Sequence, residues 1–229
     1  MDKGIFYGVG VGPGDPELLT LKALRIINAC PVIATPQTKQ GSRLAYDIAS
    51  GAVDMAGKAI LPLFFTMSPD PAEREASYTV AADAVAAHLD AGRDVAMLNL
   101  GDPSLFGTHS YIQAILQQRG YRCEVCAGIT SFCEAAARLG VSLTSIDKPL
   151  HILPAGYGDL EANLRLPGSK VIMKAAGGIG EVKEALRETG RYHSAALAEN
   201  CSLPGERLCH NLDDAPDNTG YFTTILVKD

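Results

Sequence analysis

The stretch Gly4-Ile5-Phe6-Tyr7-Gly8-Val9-Gly10-Val11-Gly12-Pro13-Gly14-Asp15 constrains this chain more than any other. A β-branched and aromatic run passes into alternating glycines. One pleat face of a strand is therefore stripped of side chains, and something must approach its backbone closely. Asp15-Pro16-Glu17 then reads as a helix start, with an N-cap oxygen, a proline at the first helical position and an acid in the first turn. Strand, bare loop and helix N-terminus together predict a small-molecule platform, with the helix running over 16–29.

The platform is not a dinucleotide fingerprint. Starting G-x-G-x-x-G at Gly8 puts Pro13 at the third glycine, and starting at Gly10 puts Asp15 there. Pro13 also removes an N–H from a loop that would otherwise cradle pyrophosphate with its amides. The loop suits a ligand lacking phosphates better than a nicotinamide dinucleotide.

With 229 residues, 47% hydrophobic and 20% charged, the chain has core enough for one large or two modest globular units. A net charge of −6 and a pI near 5.4 argue against a nucleic-acid partner, which needs a basic face. No apolar run approaches the roughly 18 residues of a membrane span, and no leader pattern precedes the first strand, so a cytoplasmic protein is expected. Cys30, Cys123, Cys126, Cys133, Cys201 and Cys209 would then be thiols. Cys123 and Cys126 have C-x-x-C spacing, but they fall in a strand-like run that points them to opposite faces. No metal site is expected there.

Short β-rich runs alternate with helical patterns through the first 140 residues, the signature of parallel β/α units. Strands are expected over 4–11, 32–35, 58–64, 94–100 and 122–126, and helices over 42–49, 71–91, 108–118 and 131–139. A polar segment at 142–149 reads as a linker. Beyond it, strands are expected at 151–154, 170–175, 194–199, 207–211 and 221–227, with helices at 159–164 and 179–188. The expected fold is α/β with two lobes and a ligand cleft between them. Residues 1–141 would build a mainly parallel sheet and 150–229 a mixed one.

Two further loops repeat the first one's design at strand ends. Asn99-Leu100-Gly101-Asp102-Pro103-Ser104-Leu105-Phe106-Gly107 follows the fourth strand, and Ala127-Gly128-Ile129-Thr130-Ser131-Phe132 follows the fifth. Ligands bind beyond the carboxyl ends of parallel strands, so these loops and the Gly12 loop are expected to face one pocket. Asp102 could also be a turn aspartate before proline, and Thr130 and Ser131 could simply cap a helix.

The block from Gly8 to Thr20, then Gly101-Asp102-Pro103 and Gly128-Ile129-Thr130-Ser131, resembles the tetrapyrrole (corrin/porphyrin) methyltransferase family in order and spacing. The resemblance continues through Val171-Ile172-Met173 and the segment from Tyr221 to Val227. Within the family, the opening block, Lys39-Gln40-Gly41-Ser42 with Ala45, and Leu203-Pro204-Gly205-Glu206 are most similar to the precorrin-2 C-20 branch of cobalamin synthesis. The family implies S-adenosyl-L-methionine as cofactor, a tetrapyrrole substrate and a homodimer. Cofactor contacts implied by the resemblance are Gly12, Pro13, Leu100, Gly101, Asp102, Leu105, Phe106, Thr130, Ser131, Met173, Asn200, Tyr221 and Thr223. Three segments depart from the family pattern: Ala127 before Gly128, Asn99-Leu100 before Gly101, and the stretch from Phe64 to Asp70, which lacks an arginine.

Such chemistry needs alignment of carbon, methyl and sulfur and exclusion of water, and no nucleophilic side chain. Asp102 is a candidate for a base that removes a proton afterwards. A polycarboxylate substrate needs local cations, for which Lys39 and Arg43, with the Ser42 hydroxyl, are the leading candidates and Lys174 and Arg207 the next. Methylation at another ring position, a protein methyltransferase of the diphthamide type, a nicotinamide oxidoreductase and a non-catalytic tetrapyrrole carrier are the competing readings.

Overall fold

A computed structural model describes residues 2–175 and 177–229. Strands β1 (Phe6–Gly10), β2 (Val32–Pro36), β3 (Ala59–Leu63), β4 (Val95–Asn99) and β5 (Cys123–Cys126) form a sheet of order β3-β2-β4-β1-β5, every pairing parallel. Helices α1 (Leu21–Ala29), α2 (Leu44–Ser50), α3 (Pro71–Asp90) and α4 (His109–Gln118) connect them. Phe6, Val32, Ala34, Val95 and Met97 point to one face, where Ala82, Val85 and Leu89 of α3 and Ile112 and Leu116 of α4 bury them. The alternate positions Val9, Ile33, Ala96 and Leu98 are buried on the other face, the side of α1 and α2. Both faces are covered, which is why these strands read as continuous apolar runs rather than alternating ones.

The second unit holds α5 (Ser131–Leu139), β6 (Leu150–Pro154), α6 (Leu160–Arg165), β7 (Ser169–Met173), α7 (Ile179–Glu188), β8 (Ala195–Glu199), β9 (Arg207–Cys209) and β10 (Thr223–Val227). Its sheet runs β6-β7-β10-β8-β9, with β6 and β7 parallel and the other pairs antiparallel. Ile172, Leu197 and Ile225 pack with Leu164 of α6 and Val182 and Leu186 of α7 in its core. The mixed sheet is as expected. The division of the chain is not, because it falls between Thr130 and Ser131, and α5 packs against β8, β9 and β10. The polar 142–149 segment is thus a connection inside the second unit, and the helix before it belongs there.

The helix expected over 16–29 is also two elements. Asp15 accepts from the Glu17 amide at 2.8 Å and starts only a short 3-10 turn, Pro16–Leu18. Leu19 is extended, and Thr20 then caps α1 by accepting from the Ala23 amide at 3.1 Å. The Thr20 hydroxyl offers a second helix start that the proline signal upstream had obscured.

Gly8 shows what approaches the bare strand face. A Cβ there would lie 2.0 Å from Nε2 of His109, a residue only 2% exposed whose ring stacks on Phe6 at 5.4 Å and 13°. At this position the missing side chain makes room for an interior ring, not for a ligand, which corrects the platform expectation there. Among the described residues, His109 Nε2 has no hydrogen-bond partner. Burial pushes its pKa down to about 4, against a smaller upward pull from Asp102.

The buried neutral ring makes the fold sensitive to acid. Between the ordinary pKa of 6.5 and about 4, the unfolded chain takes up a proton that the folded one refuses. Stability is therefore full above pH 6.5 and falls by about 3 kcal/mol as the pH drops through that window. Denaturant titrations at stepped pH should show this slope in the wild type, and His109→Leu should flatten it.

Candidate functional site

A parallel sheet gathers its carboxyl ends along one edge. The strand order makes two of the chain segments there pass one another, because the chain leaving β1 must cross β4 to reach β2, and the chain leaving β4 must cross β1 to reach β5. They meet in an isolated antiparallel bridge between Gly12 and Gly101. The Gly101 amide donates to the Gly12 carbonyl at 2.8 Å, the Gly12 amide to the Gly101 carbonyl at 3.3 Å, and the Val11 amide to the Asn99 carbonyl at 2.9 Å. Gly12 at φ 77° and Gly101 at φ 67° take the left-handed backbone that such a crossing demands.

The loop after β5 closes against the same point. A Cβ on Gly128 would lie 2.1 Å from the Gly101 carbonyl oxygen and 2.8 Å from Gly10 Cα. One on Gly10 would lie 2.6 Å from both the Gly101 oxygen and Gly128 Cα. Three backbones touch with no side chain between them.

Asp102 ties this junction. Its Oδ2 accepts from the Gly128 amide at 2.8 Å, and its Oδ1 accepts from the Ser104 amide at 2.8 Å and from the Ser104 hydroxyl. Burial works to raise the carboxyl's pKa, but the bonds from Ser104 and Gly128 outweigh it and hold the group below the usual carboxylate range. Both oxygens are engaged and the charged form is favoured, so Asp102 ties this loop to the one after β5. Around it, Pro13 is buried, Leu100, Leu105 and Thr130 are half-buried, and Phe106 is 44% exposed at φ 53°.

Lys39, Ser42 and Arg43 lie in the loop after β2, on the same edge, and α2 begins at Leu44. The Thr38 amide donates to the Ser42 carbonyl at 3.0 Å, and the Thr38 hydroxyl accepts from the Ser42 amide at 3.1 Å, closing a small turn. Lys39 and Ser42 are exposed, while the half-buried Arg43 guanidinium lies 4.3 Å from the Tyr46 ring centroid.

In the second unit, β7 and β8 are both antiparallel to β10, so the carboxyl ends of β6, β7 and β8 share an edge with the start of β10. Met173 is half-buried at the end of β7, and Asn200 follows β8 with its amide on the Phe222 carbonyl at 3.0 Å. Tyr221 is 52% exposed and meets Phe222 edge-on at 5.3 Å. Thr223 is buried, and its hydroxyl donates to the Gly220 carbonyl at 2.7 Å, holding the Tyr221 turn. Ser131 is the first residue of α5. The candidate contacts thus form two groups, one along the carboxyl edge of each sheet. Of the second-choice cations, Arg207 pairs with Glu199 at 3.0 Å, and Lys174 follows β7 at φ 61°.

The roles of Gly10 and Gly128 as contact points, the ring of His109 and the left-handed Phe106, Lys174, Asn200 and Ser202 lay beyond sequence reasoning. Of these four, only asparagine carries a residue-type signal for that backbone.

Residues 6–215 match the family model described as Tetrapyrrole (Corrin/Porphyrin) Methylases. The chain belongs to that family. A methylase of the family from Salmonella typhimurium, a cobalt-precorrin-2 C(20)-methyltransferase, is 32% identical over 235 residues, covering 99% of this chain and 97% of its own. A precorrin-2 C(20)-methyltransferase from a Sinorhizobium species is 31% identical over 234 residues, covering 98% and 95%. Among solved methylase structures, uroporphyrin-III C-methyl transferase from Thermus thermophilus in complex with S-adenyl homocysteine matches with a TM-score of 0.71 at 26% identity, covering 97% of each chain.

The junction is directly testable. Gly128→Ala must push the three backbones apart and should lower stability by about 1–3 kcal/mol, as overpacking does. Asp102→Asn leaves one acceptor where two are used, and a similar loss is expected for breaking a charged hydrogen bond. Chemical unfolding of both variants measures the two effects.

Proposed function

We propose that this chain transfers a methyl group from S-adenosyl-L-methionine to the C-20 meso carbon of a precorrin-2 type ring, metal-free or carrying cobalt. The observation that carries the reading is the similarity to two relatives of that stated specificity along nearly the whole chain. Family membership sets aside the nicotinamide reading and the simple carrier.

The chemistry of the loops fits the cofactor. The segments after β1, β4 and β5 carry Asp15 and Asp102 and neither lysine nor arginine through Thr130. That suits a sulfonium cation and not a phosphate. Gly12, Pro13, Gly101 and Asp102 would offer backbone and carboxylate. Leu100, Leu105, Phe106, Thr130, Ser131, Met173, Asn200, Tyr221 and Thr223 would complete the contacts. When bound, the cofactor supplies a methyl group already activated for transfer. The residues' task is then alignment and exclusion of water, for which a rigid glycine junction is well suited.

Lys39, Ser42 and Arg43 would meet substrate carboxylates. A homodimer and a cytoplasmic location belong to the same reading; among the described residues, no helix is long and apolar enough to cross a membrane.

Calorimetry should show heat with S-adenosylhomocysteine and none with NADH; the reverse pattern would reject the reading. Lys39→Ala and Arg43→Ala should each weaken ring binding by roughly tenfold or more and leave cofactor binding nearly unchanged. Methyl-labelled cofactor with metal-free and cobalt-loaded precorrin-2, followed by NMR of the product, should place the label at C-20. A label at any other ring position rejects the assigned specificity even if transfer occurs.

A further inference from the structure

The turn after β8 carries two residues with left-handed backbone that glycine would adopt more readily, Asn200 at φ 50° and Ser202 at φ 59°. A dense set of bonds holds them there. The Ser202 amide donates to Glu206 Oε1 at 2.8 Å, the Glu206 amide to the Leu203 carbonyl at 3.1 Å, and Asn200 Nδ2 to the Gly205 carbonyl at 3.4 Å. Glu206 in turn receives both Nε and Nη2 of Arg138, at 3.1 and 2.5 Å, the two-pronged geometry of a strong carboxylate clamp. The Ser202 hydroxyl donates to Glu134 Oε1 at 2.7 Å.

Glu134 and Arg138 stand four residues apart on α5, so one helix face grips the turn at two points. That helix begins at Ser131. The Leu203-Pro204-Gly205-Glu206 motif, distinctive in the sequence, therefore closes a strained turn onto the helix that carries another candidate contact.

We propose that Glu134, Arg138 and Glu206 are positioning residues whose clamp fixes the Asn200 turn against the start of α5 and thereby sets affinity for S-adenosylmethionine. The inference rests on the cofactor reading above, in which Ser131 and Asn200 both touch that molecule. None of the three clamping side chains is among the contacts of that reading. Arg138 is half-exposed, and exposed ion pairs add little to global stability, so the clamp acts on local geometry rather than on the fold.

The test uses the full chain with Glu206→Gln, Arg138→Gln, the double variant and Arg138→Lys. Each glutamine variant should weaken S-adenosylhomocysteine binding and raise the KM for the methyl donor about tenfold, a scale expected when a contact is misplaced without being removed. The kcat should stay within about twofold and the melting temperature within about 2 °C. The double variant should be no worse than either single one, because both remove the same link, and Arg138→Lys should recover part of the loss.

Unchanged affinity in both single variants, additive losses in the double, or losses that track a falling melting temperature would each overturn the clamp. Wild-type protein that gives no heat with S-adenosylhomocysteine would overturn the cofactor reading and the clamp with it. Wild-type binding with equally tight variants would overturn the clamp alone.

Discussion

The contact of three bare backbones at Gly10, Gly101 and Gly128 governs the first unit. It is imposed by strand order. With β1 lodged between β4 and β5, two outgoing segments must pass each other at the carboxyl edge, and they pass within reach of a third. Side chains there would force the loops apart, and the Asp102 tie could no longer span from its own loop to the Gly128 amide. The junction is consequently built of backbone amides and carbonyls, fixed by covalent geometry and a few hydrogen bonds, with Phe106 exposed in the loop that follows Gly101. A junction built this way has little freedom to rearrange, which suits the alignment that the proposed methyl transfer requires.

Much of this was legible in the sequence because the signals were local. Parallel strands with both faces covered leave unbroken apolar runs, and each was bounded by glycine, proline or a capping residue. The helices over Ser131–Leu139 and Ile179–Glu188 could be read to the residue for that reason. The break at Leu19 was not legible, because Asp15-Pro16-Glu17 and Thr20 both signal a helix start and only packing chooses between them. The division at Thr130 was hidden for a different reason. A helix's sequence shows that it has an apolar face, here Phe132, Ala135, Ala136 and Leu139, but not which sheet that face will meet.

Glycine proved the most ambiguous letter. In β1 the alternation Gly8, Gly10, Gly12 looks like one device, yet the structure uses each differently. Gly8 admits the His109 ring, Gly10 admits two neighbouring backbones, and Gly12 turns the chain at positive φ. The inference that something comes close was sound at all three positions. Whether it is ring, backbone or ligand depends on residues roughly a hundred positions away, which no local pattern contains.

The central place of β1 has a consequence for how the molecule is made. The strand that carries the glycines pairs with β4 and β5 on its two sides, so its partners are completed only when Cys126 has been synthesised. At typical rates of translation, the 120 residues that follow Phe6 as far as Cys126 take roughly 6 to 24 s to emerge. Until β4 is complete at Asn99 this apolar, glycine-rich segment has no strand partner, and its second side stays open until β5 is made, while β2 and β3, neighbours in both chain and space, can already pair. The same topology that brings the three glycines together thus leaves the first strand made waiting for partners made much later, and nascent chains stalled before β4 and β5 are where chaperone dependence and aggregation would concentrate.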